Sequence, residues 1–305
     1  MSKNTELKDL IRVIERAVEL LPDTSRNALK NDLLLLKEMI IDARPPKIMI
    51  LGRRGAGKSS LVNAIFQEKV AEVGAVLSET GQAQWYDYKN NRGGLRILDT
   101  RGLGDRHQPE SANFQAALDE IKATLTSDYP DVILFLVKAK EVDARINEDI
   151  QNLKLIKDYI EQQHLYKAPI ISLVTQVDEL DPIDVHQPPY EDQEKQVNIR
   201  LALQAVQQAF REESLDLLHS LAISAYARYR DEELVSQRYW NIDRLVNYLI
   251  EILPKNAQIE LARISQVRNA QKRIARLVVG SSATICGGLA ATPLPVADLI
   301  PITSA

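Results

Sequence analysis

The sequence predicts an α/β fold in which buried parallel strands alternate with helices, with further helical elements at both ends of the chain. The first observation is a series of short apolar runs at 48–51, 95–98, 132–137, 170–174 and 221–223. Runs of this kind are typical of strands that helices cover on both faces. The second observation is helical periodicity between the runs, near 58–67, 110–127, 145–163, 191–215 and 241–253. The third is composition, because 45% hydrophobic and 26% charged residues are ordinary values for a globular protein.

The order of these elements divides the chain into three units. Residues 1–45 carry two stretches of helical spacing separated at Pro22, which predicts a helical hairpin whose apolar stripe we interpret as core. Residues 46–254 contain the strands and the helices between them, with a weaker alternating run at 83–88. Residues 255–305 begin with a predicted helix at 256–276 and continue into an apolar segment.

Charge and cysteine content exclude several classes of protein. The 38 basic and 42 acidic residues give a net charge of −4, so we expect no nucleic-acid partner. Cys286 is the single cysteine, which excludes an intramolecular disulfide. The first ten residues are too polar for a signal peptide, and we expect a cytoplasmic location. No two of the four histidines have the spacing of metal ligands, so no structural metal site is expected.

Glycines point to a site between residues 52 and 104, which hold nine of the twelve glycines in the chain. Residues 52–59 read Gly-Arg-Arg-Gly-Ala-Gly-Lys-Ser, the complete G-x-x-x-x-G-K-S pattern between a predicted strand and a predicted helix. Backbone N–H groups of such a loop bind phosphate oxygens at a helix N-terminus. We assign nucleotide binding to Arg53, Arg54, Gly55, Ala56, Gly57, Lys58, Ser59 and Ser60, with Lys58 on the phosphates and the Ser59 hydroxyl on Mg²⁺.

Further elements of a nucleotide site follow in chain order. Asp99 and Gly102 form a D-x-x-G pattern after the second good strand, where the carboxylate can hold Mg²⁺ and the glycine N–H can meet a γ-phosphate. Between this pattern and the loop, Thr80 is our candidate for a further Mg²⁺ ligand, with Ser78 as the alternative. Lys58, Arg54, Thr80 and Gly102 are the residues to which we assign catalytic roles.

Base recognition is assigned to the ends of the last two strands. Thr175 and Gln176 lead to Asp178, whose carboxylate can accept the two hydrogen bonds that the N1–H and the amine of guanine offer and adenine does not. The next strand runs into Ser224, Ala225 and Tyr226, where backbone can meet O6 of the base.

Together these motifs resemble the Era-like branch of the translation-factor class of P-loop GTPases, over about residues 47–254. The resemblance implies a six-stranded, mostly parallel sheet with one antiparallel edge strand, for which 83–88 is the candidate, and Mg²⁺-dependent hydrolysis of GTP. Residues 290–298 look like the opening of a hydrophobic C-terminal domain attached to some Era-like GTPases. The flanking helices are similar in architecture to immunity-related and dynamin-like GTPases.

Two departures from the family pattern bear on mechanism. Leu103 stands where Ras-like members have a glutamine that orients the attacking water, and Gln176 replaces the usual lysine of the base-recognition motif. We expect weaker nucleotide binding from Gln176, with guanine preference retained through Asp178. Our hypothesis is that Arg54, or else Arg53, supplies charge to the transition state, within one chain or across a homodimer through the nucleotide face.

The C-terminal unit suggests membrane contact. Residues 255–276 hold six basic residues and one acidic residue, and residues 277–297 hold no charge over 21 positions. A basic helix before an apolar segment suits an anionic membrane surface, and the alternative is that this helix packs on the central unit. The apolar segment either spans a membrane, dips into it or packs against protein. We interpret the chain as a GTP-hydrolysing switch. The alternatives are a non-hydrolysing GTP-binding scaffold and a self-assembling GTPase that remodels membranes.

Overall fold

The computed structural model describes residues 2–71, 83–99, 112–142, 146–230 and 233–291. Its centre is a six-stranded sheet in the order β2-β3-β1-β4-β5-β6. The strands are β1 (Lys47–Gly52), β2 (Gln84–Asn90), β3 (Gly93–Asp99), β4 (Val132–Lys138), β5 (Ile170–Thr175) and β6 (His219–Ala222). All neighbours are parallel except the edge strand β2, which is antiparallel to β3. The predicted sheet and its antiparallel edge at 83–88 are confirmed.

Helices cover both faces of this sheet, as the apolar runs require. Within the described residues they are α1 (Ser2–Glu19), α2 (Asp23–Leu36), α3 (Lys58–Phe66), α4 (Ala112–Ser127), α5 (Ile146–His164), α6 (Gln193–Glu212), α7 (Ile242–Ile252), α8 (Lys255–Ser265) and α9 (Arg268–Ala290). Alternate residues of β1 enter opposite cores. Ile48 and Ile50 pack with α3, α7 and α8, whereas Met49 and Leu51 pack with α4, α5 and α6.

A second, two-stranded sheet follows β6 and was not predicted. The strands β7 (Ser224–Arg230) and β8 (Glu233–Trp240) form an antiparallel hairpin in which Ser224 pairs with Trp240 and Tyr226 pairs with Arg238. The strand β7 reads Ser-Ala-Tyr-Ala-Arg-Tyr-Arg, in which three of seven residues are exposed, and most of β8 is exposed. The hairpin therefore lacks the continuous apolar run that marks the strands of the main sheet.

The predicted helix at 256–276 is instead two helices that meet at Gln266. That residue has φ +53°, a left-handed backbone conformation that ends α8. Ala257, Leu261 and Ile264 of α8 lie in the same core as β1 and β3, and the Arg44 backbone N–H donates to the Asn256 carbonyl oxygen (2.9 Å). The unit boundary at 254/255 stays a prediction, while α8 itself packs against the central sheet.

The N-terminal helices pack against the apolar part of α9. Buried side chains from α1, from α2 and from the loop between them form one small core with α9. This core consists of Ile11, Val18, Leu21, Leu29, Leu33, Leu36 and Ile285. The Ser281 hydroxyl donates to Asp32 Oδ1 at 2.7 Å. Up to Ala291, the apolar segment therefore packs against protein, which is one of the three alternatives considered above. Among the described helices, none is long and apolar enough to cross a membrane.

Candidate nucleotide-binding site

The loop after β1 has the backbone that a phosphate site needs. Gly55 (φ +75°) and Gly57 (φ +91°) adopt left-handed conformations that side chains disfavour. At Gly52, a Cβ atom would lie 2.7 Å from the carbonyl oxygen of Leu136 on the adjacent strand β4. The loop consequently turns tightly between β1 and the first residue of α3, Lys58. This geometry directs the N-terminus of α3 towards the space above the carboxyl edge of the sheet.

Lys58 lies across this loop. Its Nζ donates to the Gly52 carbonyl oxygen at 2.8 Å and to that of Arg53 at 3.4 Å. Ser59 and Ser60 follow in the first turn of α3 and are partly exposed. A lysine and hydroxyls at a helix N-terminus provide the positive potential and the hard oxygen donor that a phosphate–Mg²⁺ pair requires.

The two arginines of the loop differ in environment. Arg53 Nε donates to Asp149 Oδ2 on α5 at 2.8 Å, and both side chains are largely shielded from solvent. Arg54 is exposed. Nearby, Lys138 Nζ pairs with Glu141 at 2.8 Å and lies 3.2 Å from where a Cβ of Gly55 would be. Positive charge therefore surrounds the loop and is partly neutralised by these two carboxylates.

The base-recognition segment is tied directly to the phosphate loop. Thr175, the last residue of β5, donates through Oγ1 to the Ala56 carbonyl oxygen at 2.9 Å. Gln176, with φ +58°, donates through Nε2 to the Gly55 carbonyl oxygen at 2.6 Å. The amide that replaces the usual lysine thus reaches across to the loop. The two halves of the predicted site form one continuous edge.

Asp178 is the most enclosed acidic side chain of the site. It is 4% exposed and lies in a short 3₁₀ turn, Val177–Glu179, directly after Gln176. The Ser224 hydroxyl donates to its Oδ1 at 3.0 Å, and Arg238 Nη1 on β8 donates to its Oδ2 at 3.2 Å. The Arg238 guanidinium also stacks on Tyr226, 4.7 Å from the ring centroid. Of the predicted trio, Ser224 contacts Asp178, Tyr226 supports Arg238, and Ala225 follows Ser224 in β7.

A buried lysine organises the segment that carries Asp178. Lys195 on α6 is fully buried, and its Nζ donates to the carbonyl oxygens of Asp178 (3.0 Å), Leu180 (2.5 Å) and Pro182 (3.4 Å). Burial lowers the pKa of Lys195, with the charge of Asp178 acting in the opposite direction. Burial, followed by the charge of Asp178, raises the pKa of Tyr190 to about 12, and the Tyr190 ring lies 5.4 Å from Lys195 Nζ. Sequence reasoning missed both Lys195 and Arg238.

The remaining predicted ligands are placed only in part. The backbone of Asp99 ends β3 and pairs in register with Ile50 of β1, so it lies at the sheet edge from which the phosphate loop leaves. Thr80, Ser78, Gly102 and Leu103 lie outside the described residues. Within the described part, no group of three or more His, Cys, Asp or Glu side chains could hold a metal ion. Serine and aspartate are residue types that fit Mg²⁺, which binds few protein oxygens together with substrate phosphates.

Residues 47–176 match the model of the family described as 50S ribosome-binding GTPase. This part of the chain therefore resembles the GTPase domain of that family. The match covers strands β1 to β5 of the sheet, the phosphate loop and the first two residues of the base-recognition segment.

Relatives of this domain occur in proteins of different kinds. The chain is 28% identical over 140 residues to GTPase Der of Clostridium botulinum, covering 44% of this chain and 28% of Der. It is 30% identical over 111 residues to translocase of chloroplast 132 of Arabidopsis thaliana, covering 36% of this chain and 9% of the relative. The matches therefore span less than a third of either relative.

A solved structure of Era in complex with MgGDPNP and a fragment of 16S ribosomal RNA is 19% identical, with a TM-score of 0.43. That alignment covers 70% of this chain and 58% of Era. The expectation that this chain has no nucleic-acid partner stays a prediction.

Proposed function

We propose that the protein binds GTP and GDP with Mg²⁺, hydrolyses GTP to GDP and phosphate, and acts as a nucleotide-dependent switch. One observation carries the proposal. The phosphate loop and the buried carboxylate of Asp178 lie at the same edge of the sheet and are joined through the Gln176–Gly55 and Thr175–Ala56 hydrogen bonds. A site with a phosphate cradle at one end and an enclosed carboxylate at the other fits a guanine nucleotide.

At the phosphate end, the backbone N–H groups of 53–60 would surround the β-phosphate. Lys58 would exchange its bond to the Gly52 carbonyl oxygen for the β- and γ-phosphate oxygens. At the base end, Asp178 would accept from N1–H and the exocyclic amine, and the Gln176 side chain would cover the plane of the base. Backbone of Ser224, Ala225 or Tyr226 would meet O6.

Mg²⁺ would be held by the Ser59 hydroxyl, with Asp99 and Thr80 completing the shell. When bound, the ion neutralises charge on the β- and γ-phosphates. Thr80 and Gly102 would contact the γ-phosphate side and release it after hydrolysis, which is the usual origin of switching in such domains. Because Leu103 cannot hydrogen-bond a water, we assign the additional charge of the transition state to the exposed Arg54, within the chain or across a homodimer.

The direct test exchanges the recognition carboxylate. Asp178→Asn removes an acceptor for guanine and matches xanthine instead, so GDP affinity should fall at least about tenfold while XDP affinity rises. Asp184→Asn, an exposed change in the following loop, is the matched control and should alter neither affinity. Titration calorimetry with GDP, XDP and ADP measures all three. Retained GDP binding by Asp178→Asn, or ADP binding equal to GDP binding, would overturn the assignment.

Contact with an anionic membrane is a second proposal, favoured by the exposure of Arg268, Lys272 and Arg276 on α9. The three share one face of the helix at four-residue spacing. Co-sedimentation with phosphatidylserine vesicles, compared with phosphatidylcholine vesicles, tests this role. Equal recovery on both vesicle types counts against membrane contact.

The scaffold alternative has a different test. A protein that binds GTP and never releases phosphate would favour it.

A further inference from the structure

Arg238 lies in the place where a guanine base would be recognised. Its Nη1 donates to Oδ2 of Asp178 at 3.2 Å, while Ser224 holds the other oxygen, Oδ1, at 3.0 Å. Asp178 is 4% exposed, and the Arg238 side chain is 27% exposed. Within the described residues, the carboxylate assigned to the base is therefore already paired with a donor from the β7–β8 hairpin.

The chemistry of this donor matches that of the base. Guanine presents N1–H and the exocyclic amine on either side of C2, which is a planar N–C–N edge carrying hydrogen-bond donors. The arginine side chain ends in the same planar N–C–N arrangement of donors. A carboxylate selected to bind one of these groups also binds the other. The arginine has the further advantage of a full positive charge.

The hairpin holds the guanidinium in position. Tyr226 and Arg238 are directly opposite each other in the antiparallel register, and the guanidinium lies 4.7 Å from the centre of the Tyr226 ring. Stacking on an aromatic ring stabilises a cation by about 0.5–1 kcal/mol at an exposed site. Tyr226 thus supports Arg238 on one side, and Asp178 binds it on the other.

We propose that Arg238 is an internal competitor of the guanine base and so a determinant of guanine-nucleotide affinity. This inference rests on the proposed function. The guanidinium pairs with the enclosed Asp178 carboxylate, whose burial without a partner would be unfavourable. An entering base displaces the guanidinium from Asp178, and the displaced arginine frees the hairpin from the nucleotide site. Nucleotide occupancy is in this way coupled to the position of β7 and β8.

The test compares GDP binding by the wild type and by variants that lack the competitor. Arg238→Met removes the donors and keeps an unbranched apolar stem to pack on Tyr226, and Arg238→Ala removes both. Removing a partly exposed ion pair of ordinary strength should tighten GDP binding about two- to fivefold. The exposed Arg228→Ala on β7 of the same hairpin is the matched control and should leave the affinity unchanged. GDP is used because its binding is not complicated by hydrolysis.

Thermal unfolding supplies a second readout that a purely structural role would not produce. Without nucleotide, Arg238→Met should unfold at a lower temperature than the wild type, since Asp178 loses a partner. Saturating GDP should then raise its unfolding temperature by more than it raises that of the wild type.

The outcomes are distinct. Tighter GDP binding by Arg238→Met with no change in Arg228→Ala supports the inference. If Arg238→Met binds GDP as tightly as the wild type or more weakly, the inference about Arg238 is overturned. The proposed function is not affected by that result. Failure of the wild type and of both Arg238 variants to bind GDP overturns the proposed function and the inference with it.

Discussion

Single residues decide how the two halves of the site are joined. Gln176 was expected to weaken nucleotide binding because it lacks the charge of the usual lysine. The structure gives its amide a further role, a 2.6 Å bond to the Gly55 carbonyl oxygen that ties the base-recognition segment to the phosphate loop. Such a contact between segments 121 positions apart cannot be inferred from a motif. The residues of the phosphate-loop and base-recognition motifs were predicted from sequence, whereas their mutual bonds and the contributions of Lys195 and Arg238 were not.

Lys195 should matter for base binding although it does not reach the base. Its Nζ holds three carbonyl oxygens of 178–182, so Lys195→Met leaves them without that donor in a buried position. We expect the free energy of unfolding to fall by about 1–3 kcal/mol and GDP affinity to fall with it. Denaturant unfolding and calorimetry measure the two effects, with the exposed Lys167→Met as control. Unchanged GDP affinity in a folded Lys195→Met variant would show that Lys195 does not contribute to base binding.

Arg54 is the residue on which the proposed hydrolysis depends most. It is exposed beside the phosphate loop, whereas Arg53 is held by Asp149. If Arg54 stabilises transition-state charge, Arg54→Ala should lower turnover about a thousandfold or more and leave GTP affinity nearly unchanged. Single-turnover phosphate release and nucleotide titration separate the two quantities, and the exposed Arg200→Ala on α6 serves as control. Wild-type turnover in Arg54→Ala would contradict the assignment.

At the scale of elements, predictability followed the hydrophobic pattern. Strands β1, β4 and β5 are buried over nearly their whole length and were located from their apolar runs. The β7–β8 hairpin was missed because neither strand has a continuous buried apolar run and no glycine stands between the two strands in the sequence. The break between α8 and α9 was missed for a related reason. Gln266 adopts a positive φ with neither glycine nor proline in the sequence to signal it, while Ile264 and Val267 on either side are buried.

The glycines of α9 provide a test of its packing against the N-terminal hairpin. A Cβ on Gly288 would lie 2.6 Å from Cδ1 of the buried Leu29, whereas a Cβ on Gly280 would meet nothing within 4 Å. Gly280→Ala should therefore stabilise the protein by about 0.5–1 kcal/mol through helix propensity. Gly288→Ala should destabilise it, because overpacking costs about 1–3 kcal/mol and exceeds that gain. Urea unfolding of the two variants gives the comparison. Equal stabilisation by both would show that α9 does not pack on Leu29 in solution.

At the scale of the whole molecule, helices that are far apart in the chain pack together beside the central sheet. Helices α1 and α2 share a core with α9, while α8 packs under the central sheet, which carries the proposed nucleotide site. Helical spacing predicted helices in the N-terminal and C-terminal units but did not show that they pack together, because the pairing of distant helices depends on which faces match. This arrangement makes the flanking helices natural receivers of a nucleotide-dependent change.

Phosphate release in the presence of Mg²⁺ decides whether the chain is, as proposed, a GTP-selective hydrolase. We would measure release from GTP and from ATP over a range of protein concentrations. We expect phosphate release from GTP and little phosphate release from ATP. If phosphate release per protein molecule rises with protein concentration, we would assign Arg54 to stabilising the transition state across a dimer. If it stays constant, we would assign Arg54 to the same role within one chain. Equal release from the two nucleotides, or tight GTP binding without any release, would contradict the claim.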